Sequence, residues 1–159
     1  MKKLFVVLGA AVVSVAAVMP VASAAQPPPR TFVAVLNASN EVPTCTEATN
    51  AARGSAIFHV VDEATGTVNY KVVANNLPGE IILAHIHIAP KGTPGPVVQP
   101  LPPTPGVEHG VIAEGTFTNA ALVAALQADP DAYYVNVHST VCTSGVIRGQ
   151  LGDHGPANH

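Results

Sequence analysis

The chain has 159 residues, with 7 basic side chains against 10 acidic ones, a formal net charge of −3, two cysteines and no tryptophan. Binding along a phosphate backbone needs a basic face that this balance does not supply, so nucleic acid is set aside as a partner. An acidic composition carrying 7 histidines suits cations instead.

The first residues speak to compartment. Met1-Lys2-Lys3 is a short basic start, Leu4 to Val21 is almost wholly apolar, and Ala22-Ser23-Ala24 meets the small-x-small cleavage rule. Residues 1–24 therefore read as a signal peptide, with secretion or periplasmic residence expected. The cleavage signal and the lack of a stop-transfer charge cluster argue against a membrane span in the mature chain. Removing residues 1–24 leaves 135 residues, enough for one domain with its own core. Lys2 and Lys3 leave with the peptide, so five basic residues then face ten acidic ones.

Residues 25–30 contain three consecutive prolines and read as an extended leader. Thr31 to Ala38 is the first expected strand, and Glu41 to Asn50 a loop holding Cys45. Gly54 to Val61 and Thr67 to Ala74 flank Asp62-Glu63-Ala64-Thr65-Gly66, a hairpin signature. Ile81 to Ile88 is a strand. Prolines and glycines make residues 89–96 a loop, and Val97 to Leu101 is at most a short or edge strand. A second proline-rich loop, Pro102 to Gly110, holds His109 and leads into Val111 to Thr118. Asn119 looks like an N-cap for a short helix over Ala120 to Ala128, with Leu122, Val123 and Leu126 on one side and Asp129-Pro130 ending it. Tyr133 to Ser139 and Val146 to Leu151 are the last strands, and residues 152–159 a flexible tail. Seven or eight strands with one short helix predict an all-β fold, an antiparallel Greek-key sandwich or barrel.

Cys45 and Cys142 both lie in the exported portion, where a pair defaults to a disulfide. Closing a loop that long stabilises a fold by roughly 4–5 kcal/mol on the chain-entropy model. Thiolate metal ligation is the weaker alternative.

The chemistry concentrates on His85 and His87, one residue apart on a strand, and on His138 in Tyr134-Val135-Asn136-Val137-His138. Period-two geometry puts His85 and His87 on one face with roughly 6 to 7 Å between their backbones. Neutral imidazole is a common ligand for copper and zinc. Ile82, Ala84, Ile86 and Ile88 form the expected core face of the first strand, and Tyr133, Val135 and Val137 that of the later one. The histidines then fall on the opposite, polar sides. Continuing the core face through Ile147, Gly149 and Leu151 places Arg148 and Gln150 beside Asn136 and His138. Arg148 should lie opposite or diagonal to His138, where it can hold an anion, orient a carboxylate or fix a loop through carbonyls. Ordinary roles are also open: a histidine pair can be a half-exposed polar face, His59 a packed or hydrogen-bonded residue, and Arg148 a structural one.

Ala84-His85-Ile86-His87, then Gly92 and Gly95-Pro96-Val97-Val98, then Tyr134 to Ser139 and Gly145-Val146-Ile147-Arg148-Gly149-Gln150-Leu151 resemble the chordin-type, or CHRD, domain across residues 31–151. That resemblance implies a secreted β-sandwich module and little chemistry. The His-x-His strand, the late histidine and the cysteine after it are also similar, more faintly, to copper-zinc superoxide dismutase. That enzyme requires four copper histidines and a separate zinc set including an aspartate, and the chain departs from it in having no histidine-aspartate cluster for the zinc.

The resulting expectation is an exported CHRD-type protein binding a transition metal, copper first and zinc second, for storage, delivery or tolerance. His85, His87 and His138 are the ligands in a surface site, with His109 as a fourth from its loop. Tyr134, Asn136 and Arg148 surround them. The competing readings are a metal-free module for an extracellular or periplasmic protein or a polysaccharide, and a copper redox enzyme; no catalytic residue is assigned.

Overall fold

In the computed structural model, residue 28 and residues 30–152 are described. The expected signal peptide, most of the proline leader and the tail after Gly152 lie outside the described residues.

Alternation of buried and exposed side chains builds the first half of the molecule. Strand β1 (Thr31–Asn37) buries Phe32, Ala34 and Leu36; β2 (Arg53–Asp62) buries Ala56, Phe58 and Val60; β3 (Thr67–Asn75) buries Val68, Tyr70, Val72 and Ala74. The β2–β3 turn closes as an Asx turn, with Asp62 Oδ1 accepting from the amides of Ala64 at 2.9 Å and Thr65 at 3.3 Å. Gly66 follows at φ 69°, a left-handed conformation that favours glycine.

The remaining strands are β4 (Ile81–Ile88), β5 (Val97–Pro100), β6 (Gly110–Thr118), β7 (Tyr133–Ser139) and β8 (Ile147–Gln150), with helix α1 (Ala120–Ala128) between β6 and β7. Asn119 caps the helix, its side chain accepting from Leu122 N at 3.1 Å, and Leu122, Val123 and Leu126 are the buried face. A short 3-10 turn beginning at Pro130 follows it.

All pairings are antiparallel, in the order β5-β4-β7-β8-β1-β2-β3-β6. The consecutive strands β1, β2 and β3 are neighbours, with β8 returning beside β1 and β6 beside β3. The expected sandwich or barrel is thus one curled eight-stranded sheet whose two halves share a single core. Phe32, Phe58 and Val72 from one half join Ile86, Val135 and Ile147 from the other. Cys45 and Cys142 form a disulfide across 97 positions, with Cα atoms 5.8 Å apart. This bond ties the loop after β1 to the β7–β8 turn.

One facing expectation is corrected. Ile82 and Ile88 are 39% and 38% exposed, so the core face of β4 is Ile81, Ala84 and Ile86. The β4–β7 register slips between Ile81 and Leu83, so the extra residue Ile82 breaks the strict alternation; Ile88 is the last residue of the strand. Past the slip, His85 and His87 do point away from the core residues Ala84 and Ile86.

Candidate metal centre

Register decides whether the three histidines converge. β4 and β7 pair His85 with Asn136, His87 with Tyr134 and Leu83 with His138, while β7 and β8 pair Asn136 with Arg148 and Tyr134 with Gln150. Directly opposite residues share a face, so His85, His87, Tyr134, Asn136, His138, Arg148 and Gln150 occupy one side of three adjacent strands. Arg148 lies diagonal to His138.

His85 Nδ1 is 3.3 Å from His138 Nε2, and one ring nitrogen from each of His85, His87 and His138 lies within 4.8 Å of the others. Metal–nitrogen bonds of about 2.0–2.1 Å at a tetrahedral ion put ligand nitrogens roughly 3.3 Å apart, so the first pair already stands at ligand spacing. The third ring needs only a small approach.

The hydrogen bonds fix which nitrogens are available. A backbone carbonyl can only accept, so His87 Nδ1 carries a proton and donates to Gly95 O at 2.9 Å, and His138 Nδ1 donates to Thr143 O at 3.0 Å. In the neutral rings both Nε2 atoms are then lone-pair acceptors. His87 Nε2 is buried without a partner among the described residues. Metal-binding histidines characteristically have their other nitrogen held in this way.

Electrostatics keeps the rings neutral. Burial, then the neighbouring His138 and His87, lower the pKa of His85 from 6.5 to about 4. Burial likewise lowers those of His87 and His138, against the opposing effect of their carbonyl partners.

The face is not the open surface expected from sequence. His87 and His138 are each only 7% exposed, and Arg148 1%; His85 alone is half-buried. The cover is the loop of residues 89–96, and Arg148 holds it down. Its guanidinium donates to Thr93 O at 2.8 Å, Pro90 O at 3.0 Å and Gln150 Oε1 at 3.2 Å, and lies 3.4 Å from the centre of the Tyr134 ring. Of the roles open to Arg148, fixing a loop through carbonyls is the one realised. Tyr134 stacks on His87, centroids 4.8 Å apart and planes at 9°, and its hydroxyl accepts from Gly95 N at 3.0 Å. Gly95 thereby grips both rings. A side chain there would strike the Ile88 carbonyl oxygen.

One expected ligand, His109, falls elsewhere. His109 lines a surface recess with Asn75, Asn76, Leu77 and Glu108, outside the three-histidine group. Its loop precedes β6, at the far edge of the strand order from β4. His59 is exposed and hydrogen-bonded to Thr31 Oγ1 at 3.0 Å.

Sequence reasoning missed Glu41. The residue is 3% exposed; Oε1 accepts from Val42 N at 3.1 Å and Asn136 Nδ2 at 3.3 Å, while Oε2 and Asn136 Oδ1 have no partner among the described residues. Burial raises its pKa from 4.5 to about 7, against the opposing pull of the Val42 amide, Arg148 and Asn136. The available signal was its position four residues before Cys45, since the disulfide draws that loop against the β7–β8 turn.

A CHRD domain model matches residues 32–151. The chain belongs to the CHRD domain family. Neither the curated proteins nor the solved structures contain a match to it. Among the described residues of this CHRD protein, no helix is long and apolar enough to cross a membrane.

Proposed function

We propose that this CHRD-domain protein is exported and holds a transition metal ion, copper in the first place, through His85, His87 and His138, for storage, delivery or tolerance. The observation that carries the reading is the convergence of three neutral imidazoles, two of them with Nδ1–H spent on a backbone carbonyl and Nε2 left as a lone pair. Because His138 Nε2 is an acceptor, the 3.3 Å contact to His85 Nδ1 places a proton on His85 in the metal-free protein. To offer Nδ1 to an ion, His85 would carry its hydrogen on Nε2 instead. An all-imidazole set accepts copper and zinc, and copper(II) leads in intrinsic affinity. Export is supported by the signal-like residues 1–24 and by the disulfide, which persists in oxidising compartments.

Elemental analysis and copper titration of the purified mature protein test this. One equivalent of copper should be retained, and His85→Ala/His138→Ala should abolish retention. Wild-type protein that holds neither copper nor zinc, or a double variant that binds unchanged, would sink the proposal.

A second reading, an interaction module, draws on the outer face of β2, β3 and β6. There an open trough of about 580 Å³ is lined by Ile57, His59, Asn69, Lys71, Glu114 and Thr116 among others. Binding of an extracellular protein or polysaccharide that survives both the double variant and chelation would favour it.

A further inference from the structure

We propose that an ion held by the three histidines keeps a coordination position open on the His85 side, and that this position takes a small, weakly hydrated, monodentate anion. The inference rests on the metal reading above and adds the class of ligand the centre receives.

The three-histidine group contains no carboxylate or thiolate, so a divalent ion bound there keeps its full charge. Glu41, the buried carboxyl on this side of the sheet, stands outside that group, its Oε1 engaged by Val42 N and Asn136 Nδ2. Arg148, packed on the Tyr134 ring that stacks against His87, contributes a further positive charge. An uncompensated cation in a poorly hydrated recess attracts an anionic ligand strongly.

His87 and His138 are buried and held from behind by Gly95 O and Thr143 O, whereas His85 is half-exposed, so the approach is past His85. The register sets Leu83 opposite His138, Val97 opposite His87 and Pro100 opposite His85. All three rim residues are exposed and apolar, Leu83 by 45% and Val97 by 48%. An anion passing such a rim must shed water. That favours azide, thiocyanate or a similar ion over strongly hydrated sulfate. His109, the residue considered from sequence as a fourth ligand, lies in a different recess.

The test uses the disulfide-intact protein loaded with one equivalent of copper(II), titrated with sodium azide or sodium sulfate at constant ionic strength. Azide should produce a saturable charge-transfer band with one-to-one stoichiometry, and sulfate none. Leu83→Glu, at an exposed rim position, should weaken azide binding about threefold to tenfold through charge repulsion. Copper retained without an azide band, an equal response to sulfate, or unchanged azide affinity in Leu83→Glu overturns the open anion position alone. Failure to retain copper overturns the metal reading and this inference together.

Discussion

Replacing Glu41 by Gln isolates the energetic consequence of burying one carboxyl beside the histidine face. The pKa of Glu41 is raised from 4.5 to about 7, chiefly by burial, and the side chain is 3% exposed. Below about pH 4.5 the carboxyl is protonated in both the folded and unfolded chain and contributes no pH dependence. Between 4.5 and about 7 the unfolded chain ionises while the folded chain resists, so this residue erodes stability as pH rises; above 7 the loss is complete. At about 1.4 kcal/mol per pH unit, the full effect is about 3 kcal/mol. The histidines act in the opposite sense, because their lowered pKa values make stability rise with pH, for His85 between about 4 and 6.5. Both chains share that trend, so it cancels in their difference. Urea unfolding of the oxidised, chelator-treated proteins from pH 4.5 to 8 should show the Gln variant gaining about 3 kcal/mol on wild type across the range. A difference that stays flat with pH refutes the assignment of Glu41 as a buried, reluctantly ionised group.

Arg148→Met should destabilise the fold by about 3–5 kcal/mol, because it removes charge-assisted bonds to Thr93, Pro90 and Gln150 and leaves Glu41 without its cation. Amide exchange in residues 89–96 should quicken in that variant, and a loss below about 1 kcal/mol would show that the loop is held by other contacts. In the metal-free protein His85 should stay neutral down to about pH 4, read as its ring-proton shift in an NMR titration; a midpoint near 6.5 would contradict the burial argument. Cys45→Ser/Cys142→Ser closes no 97-residue separation and should lose about 4–5 kcal/mol in denaturant unfolding; an unchanged midpoint would mean that the disulfide contributes nothing to stability.

Local pattern determined a large part of this protein. The bounds of β4, α1 and β7, the Asn119 cap and the inward set of β7 follow from two-residue or 3.6-residue periodicity and from caps and turns, which depend on near neighbours alone. The side on which His85, His87 and His138 stand was legible for the same reason: once a strand's core residues are known, the alternate residues must face the other way. What only the tertiary structure decided is that this other face is enclosed. Ile82 left the core because of a register slip with β7, which no residue of β4 announces by itself. Glu41 joined the site because a disulfide partner 97 positions away draws its loop inward. The polar face became a recess because Arg148 on β8 captures the carbonyls of Pro90 and Thr93, main-chain groups that every sequence carries and none advertises. Burial of those histidines, and with it their neutral rings and fixed lone pairs, depends on long-range contacts between backbone and side chain. Sequence periodicity carries no record of such contacts.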